Sequence, residues 1–202
     1  MKVSSKASPI KDVASLIPGA AKSVYSLGQE DGEQAIKLLK GINLNKEGEI
    51  SVDNMDSIVL LDAKNPERYI LQAGDVVIMA RGSSIRASYV SEEVAKSRVM
   101  ASANFIIVRP NPLEICGEVI AAYLNSEVGA SRLQSLSKGA TIQHISTSDL
   151  KNLEVPTPSK ETQVSISEIF HANQEAYQAT IALAEQQKQT ANTTMLTMME
   201  VS

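Results

Sequence analysis

The densest run of groups able to grip a ligand is Arg81-Gly82-Ser83-Ser84-Ile85-Arg86, two guanidinium groups and two hydroxyls around a glycine. It lacks the Gly-Lys-Ser/Thr ending that a nucleotide-cradling loop of Walker type needs. Guanidinium, amide and hydroxyl groups suit another task, hydrogen bonding to phosphate oxygens and to base edges in a nucleic-acid groove. Arg98 and the Ser137 to Gln143 segment offer the same chemistry. The candidate ligand-contacting set is therefore Arg81, Ser83, Ser84, Arg86, Arg98, Lys138, Thr141 and Gln143.

Residue types for catalysis are thinly spread. A Gly-x-Ser-x-Gly turn does not occur, and His144 and His171 stand apart without ligand spacing. The single cysteine, Cys116, excludes an internal disulfide and a cysteine-based metal cluster, and reads as a small buried hydrophobe in a helix. No metal site and no cofactor of the chain's own is expected. One nuclease-like string exists: Asp53 or Asp56 with Asp62-Ala63-Lys64 supplies two carboxylates and a lysine that could hold a divalent ion and activate water. Asn65-Pro66-Glu67-Arg68 and Asn111-Pro112-Leu113 share two letters with an amino-methyltransferase motif but lack its second proline and its aromatic. Any methylation belongs to another chain.

Composition fits a soluble globular protein, with 43% hydrophobic and 21% charged residues and a net charge of -4. Residues 1 to 158 hold 17 Lys+Arg against 18 Asp+Glu, and 159 to 202 hold 2 against 5. This excludes a strongly basic nucleic-acid binder. Between Arg81 and Arg109 the sign reverses, with Arg81, Arg86, Lys96, Arg98 and Arg109 against Glu92 and Glu93, which predicts a locally positive surface. Apolar runs such as 76–80 and 105–108 are too short to span a membrane, and the polar start lacks a signal-peptide core. A cytoplasmic location is expected.

The element that positions everything else runs from Lys160 to about Met199 without Gly or Pro. Apolar or small residues recur at Ile166, Ile169, Phe170, Ala176, Tyr177, Ile181, Ala184, Ala191, Met195 and Met198, in steps of mostly three, four or seven. This predicts one amphipathic helix about 60 Å long at about 1.5 Å per residue, too long for a domain of this size to cover. Its thin seam suits pairing with a second helix in the coiled-coil manner. Upstream, strands are predicted at 35–44, 57–61, 76–80, 85–90, 103–108, 141–145 and 153–155, and helices at 115–124 and 129–136. Ile10 to Leu16 fits a short helix or a strand entry, Ala20 to Glu33 reads as loop, and Ser146 to Leu150 as a capped helical turn. Pro156-Thr157-Pro158 enforces an extended link before a Ser159 cap. The expected fold is α+β: a mixed or antiparallel sheet domain, 1–158, and a helical region, 159–202.

Taken in order, Leu71-Gln72-Ala73-Gly74-Asp75-Val76-Val77-Ile78, Ala121-Ala122-Tyr123-Leu124-Asn125-Ser126, Lys138-Gly139-Ala140-Thr141-Ile142-Gln143-His144-Ile145-Ser146, and Val155-Pro156-Thr157-Pro158-Ser159-Lys160-Glu161-Thr162-Gln163-Val164-Ser165-Ile166 form a spaced series. The chain resembles half of a specificity subunit from a Type I DNA restriction-modification system. The resemblance implies a target-recognition domain for double-stranded DNA, at about 8–158, followed by a spacer helix. In that family such helices pair antiparallel and dock methyltransferase subunits that carry S-adenosylmethionine, in complexes that also include a restriction subunit. Members usually carry two recognition domains and two spacers in about twice this length, so one of each implies either a half-subunit that pairs as a homodimer and reads a bipartite, inverted-repeat target, or a fragment or free-standing relative. The seam expected to meet a partner is Ile166, Ile169, Phe170, Tyr177, Ile181, Ala184, Met195 and Met198. Two other readings stand beside this one: an interaction module or decoy that binds methyltransferase subunits without reading DNA, and the metal nuclease.

Overall fold

The computed structural model of the chain describes residues 6–28, 35–45, 48–61, 65–82, 85–139 and 143–200. The chain divides into two compact units, Met1–Gln163 and Val164–Ser202. The first unit opens with β1 (Ala7–Pro9), α1 (Ile10–Val13), β2 (Ala14–Pro18), β3 (Tyr25–Leu27), β4 (Ile36–Leu39) and β5 (Asp56–Leu60). It continues with β6 (Val76–Met79), β7 (Arg81–Gly82), β8 (Ala87–Tyr89), α2 (Glu92–Lys96), β9 (Val99–Ala101) and β10 (Phe105–Pro110). Last come α3 (Gly117–Asn125), α4 (Glu127–Leu136), β11 (Gln143–His144), α5 (Thr147–Leu150) and β12 (Glu154–Pro156). Helix α6 (Lys160–Glu200) starts in the first unit and makes up the described part of the second.

Two four-stranded sheets build the first unit. One, in the order β2-β10-β6-β8, is antiparallel throughout. The other, β3-β5-β4-β9, is mixed, because β9 runs parallel to β4. Side-chain alternation along each strand makes the core. Val77 and Met79 of β6 and Phe105 and Ile107 of β10 pack with Leu39 of β4 and Val99 and Ala101 of β9, so this core joins the two sheets. The neighbours Leu38 and Met100 point the other way, into a second cluster with Ile36, Ile58, Ala20 and Val24. The β6 run Val-Val-Ile-Met is buried at every position, as a strand covered on both faces must be. Each such side chain contributes about 1.5–3 kcal/mol of burial free energy.

Helix α3 packs against β6, β8 and β12 and buries Val119, Ile120, Ala121 and Leu124. Two glycines permit this approach. Gly74 holds φ +85 in the turn before β6, and a Cβ on Gly117 would lie 2.1 Å from the Gly74 carbonyl oxygen. The same turn is fixed by a buried ion pair. Asp75, 1% exposed, accepts from the Gln72 amide at 2.9 Å and from Arg109 Nε and Nη2 at 2.9 and 2.8 Å, while Arg109 Nη2 also donates to the Ile70 carbonyl.

The α+β class and the long C-terminal helix are as expected, and the details differ in places. Residues 20–33 are not all loop, since Tyr25–Leu27 forms the edge strand of the mixed sheet. The strand read over 35–44 stops at Leu39, and a 3-10 turn takes Gly41–Asn43. Helix α2 and strand β9 were not foreseen, and the strands divide among two four-stranded sheets and the two-stranded ladders β1–β12 and β7–β11. Cys116 stands before α3 as its N-cap, half-buried, and not inside a helix. Arg109 supplies no surface charge, because Asp75 neutralises it.

Candidate nucleic-acid interface

The predicted contact residues gather at the two-stranded ladder β7–β11, where Arg81 pairs with His144 and Gly82 with Gln143. The Asn104 carbonyl accepts from the amides of Ala80 and Arg81 at 2.8 and 3.1 Å, which carries the chain directly from β6 into β7. On the other strand, the Ile145 amide donates to the Ala80 carbonyl at 2.9 Å, and Lys138 and His144 exchange both backbone hydrogen bonds. Gly139, next after Lys138, holds φ +101. The Arg81 and His144 side chains are exposed and Gln143 is half-buried. The Gln143 amide oxygen is buried and accepts no hydrogen bond.

Lys138 and its neighbours form a compact support. Its ammonium group lies 2.9 Å from Asp149 Oδ1. Asp149 closes a capping box with Ser146: the Ser146 hydroxyl donates to Oδ2 at 2.6 Å and accepts from the Asp149 amide, and the Ser146 amide donates to Oδ2 at 3.1 Å. The Ser146 hydroxyl first, then Lys138, hold the Asp149 carboxyl well below the usual carboxylate range. Lys138 thus presents a partly neutralised cation.

The remaining candidates separate. Arg86 donates from Nη1 to the Asn45 carbonyl, and its Nε is buried without a partner, so it braces the loop that carries Asn45. Arg98 stands at φ +48 between α2 and β9, 3.7 Å from Glu67, and its carbonyl accepts from the Lys37 amide of β4. Ser83, Ser84 and Thr141 lie outside the described residues, as do Asp62 and Lys64 of the nuclease string. Asp56 of that string is paired with Lys40. Among the described residues no group of three His, Cys, Asp or Glu side chains is placed to hold a metal ion.

On α6, Ile166, Phe170 and Ile181 are half-buried, while Ile169, Tyr177, Ala184, Met195 and Met198 are exposed, Ile169 by 68% and Met198 by 70%. At about 100° per residue, Ile166, Phe170, Tyr177, Ile181, Ala184 and Met195 share one line, and Ile169 and Met198 fall on its flank. Residues that the sequence reading did not single out include His144, which sat beside Gln143 in the quoted motif, and Gln163, buried at 4% exposure.

A family model for the Type I restriction modification DNA specificity domain matches residues 8–193. The chain belongs to that family. The match covers nearly all of the first specificity-domain unit and most of α6. Among solved structures, the chain is similar to the Type-I restriction-modification system S subunit from M. genitalium, with a TM-score of 0.54, 18% identity, and coverage of 86% of this chain and 40% of that one. It is similar to the HsdS subunit from Thermoanaerobacter tengcongensis at TM-score 0.59 and 15% identity, covering 89% and 39%. A structure describing complex assembly and conformational transition of the type I R-M system gives TM-score 0.57 and 17% identity, covering 89% and 40%. At these identities the likeness is one of fold. The specificity-domain chain spans about 40% of the length of these subunits. Curated proteins give no match to the sequence.

Proposed function

We propose that this chain is the DNA-selecting part of a Type I restriction-modification complex and performs no bond chemistry of its own. The first unit reads double-stranded DNA through the β7–β11 ladder and the loops that flank it. Helix α6 pairs antiparallel with the helix of a second copy and docks a methyltransferase subunit, which carries S-adenosylmethionine, within a complex that also takes up a restriction subunit. A twofold pair of copies would read an inverted, two-part target. The observation that carries this reading is the reach of the family match, which takes in the globular unit and most of a helix whose apolar line is half-buried or exposed. Among the described residues no helix is long and apolar enough to cross a membrane, and a DNA-selecting role places the chain in the cytoplasm.

Co-production with the adjacent methyltransferase, followed by genome-wide mapping of methylated bases, tests it. The expected result is a two-part inverted motif with a fixed gap. An uninterrupted motif would refute the paired arrangement, and no new methylation in an assembled complex would favour the non-reading interaction module. Magnesium-dependent cleavage by the chain alone, lost on Asp62→Ala, would instead support the nuclease.

A further inference from the structure

The register of the β7–β11 ladder decides which of its side chains stand together. Lys138 and His144 exchange both backbone hydrogen bonds, at 3.0 and 2.9 Å, so the His144 amide and carbonyl point toward Lys138. On its other side His144 lies directly opposite Arg81. With its own backbone groups spent, it meets Arg81 as a pair without mutual bonds, the closer of the two antiparallel kinds. Directly paired residues share a face, with Cβ atoms about 4.5–5.5 Å apart. Lys138, His144 and Arg81 therefore form one row, and all three are exposed. Their neighbours face the other way, since Ile145 is 0% exposed and the Gln143 amide oxygen is buried. The row is anchored to the end of β6, because the Asn104 carbonyl holds the amides of Ala80 and Arg81 and the Ala80 carbonyl holds the Ile145 amide.

Within the row the groups differ in what they offer a ligand. The Lys138 ammonium lies 2.9 Å from Asp149 Oδ1, which takes up part of its charge. Arg81 and His144 present hydrogen-bond donors side by side on a solvent face: a guanidinium carries donors only, and an imidazole always carries at least one ring N–H. The row is thus richer in directed donors than in net charge, which suits base edges better than phosphates. A two-stranded ribbon fits the major groove, where the paired acceptors O6 and N7 belong to guanine alone and every purine presents N7. Successive bases lie about 3.4 Å apart along a strand, close enough for donors so spaced to reach stacked neighbours.

We infer that Arg81 and His144 are a specificity-determining pair: the Arg81 fork takes O6 and N7 of a guanine in the major groove, and the His144 ring N–H takes N7 of the purine stacked on it. This rests on the DNA-selecting function proposed above and names the base edges that the ladder selects.

The test uses the assembled methylating complex and duplexes carrying its own mapped motif, in which each purine in turn is replaced by its 7-deaza analogue. That change removes the N7 acceptor and leaves Watson–Crick pairing intact. The parent complex is expected to lose about tenfold in affinity at one guanine and about fivefold at the purine next to it. Arg81→Ala should bind more weakly and no longer respond at the guanine. His144→Ala should no longer respond at the neighbour while still responding at the guanine. If His144→Ala does not assemble, His144→Val, which suits a strand and also lacks a donor, is read in the same way. Variants that bind every duplex more weakly by one common factor, with the parent's sensitive positions retained, mark phosphate contacts and overturn the inference. A defined motif with no N7-sensitive purine overturns it too and leaves the functional reading standing, whereas a parent complex that methylates at no defined motif refutes both.

Discussion

Replacing either partner of the Asp75–Arg109 pair should show how much of the first unit's stability hangs on one turn. The Asp75 side chain is 1% exposed and that of Arg109 23%. Arg109→Leu strips two of the three hydrogen bonds from a dry carboxylate and leaves it the Gln72 amide alone. Breaking a buried pair from one side costs about 3–5 kcal/mol, and the dryness of Asp75 places this variant in the upper half. Asp75→Asn keeps an acceptor for Gln72 and leaves Arg109 both solvent and the Ile70 carbonyl, so its cost is smaller, about 1.5–3 kcal/mol. The pair Asp75→Leu with Arg109→Met removes both charges and should cost much less than the two charge-stranding changes summed. Urea unfolding followed by circular dichroism measures all three. For a unit of this size about 4 kcal/mol corresponds to a melting-temperature fall of roughly 8–16 °C. The reasoning is refuted if Asp75→Asn proves the costlier single change, or if the double variant is merely additive.

Three further outcomes are expected. Gly117→Ala puts a methyl group 2.1 Å from the Gly74 carbonyl oxygen, a backbone atom, so α3 must shift and thermal unfolding should register a loss of about 1–3 kcal/mol. Arg81→Ala, in the assembled methylating complex, should weaken DNA binding and lower the slope of log affinity against log salt by about one if Arg81 holds a phosphate, with assembly by gel filtration unchanged. The depressed Asp149 carboxyl predicts stability that is present above the ordinary carboxylate range and lost as pH falls through its lowered value. Ser146→Ala removes the largest cause, so the gap between parent and variant should be widest near neutrality and shrink below pH of about 4. A residual of about 1 kcal/mol from the lost helix cap should persist, and a gap that does not vary with pH would contradict the assignment.

Local signals were legible in the sequence where a single period or cap decides the structure. Five apolar residues in a row placed β6 in the sheet interior, Ser146 and Asp149 announced their capping box, and the absence of Gly and Pro after Pro158 announced α6. What stayed hidden depends on pairing across distance. Arg109 looks like a surface cation until the register Val108 to Val76 brings it level with Asp75, 34 residues away. Strand β9 is three residues long and exists because β4 lies beside it in parallel. Helix α2 carries a readable cap, Ser91 before Glu92 and Glu93, yet it is too short for any period to show. Gln163 was masked by the helix that contains it: the periodicity sorts side chains by face, and a buried amide looks out of place until the carbonyls of Glu114 and Pro158 are seen beside it. Which of the candidate cations stays exposed was not legible, since charge and hydrogen-bonding type pick out Arg81 and Arg86 alike, and only the fold separates the exposed one from the one spent on Asn45.

That separation bears on how such a unit can hold DNA. Of the five cations between Arg81 and Arg109, Arg109 is neutralised by Asp75, Lys96 lies 3.0 Å from Glu92, Arg98 faces Glu67 and Arg86 is turned to a carbonyl. Exposed on the β7–β11 ladder are Arg81 and His144, with Lys138 beside them and shared with Asp149. Non-specific affinity grows with the number of phosphates neutralised, and few cations here are free to neutralise them. Amide and guanidinium groups on a rigid ladder can still discriminate between bases, because discrimination depends on geometry and not on total charge. On the proposed reading, the unit therefore contributes choice and little grip. On the same reading, the grip comes from the partner proposed to dock on α6.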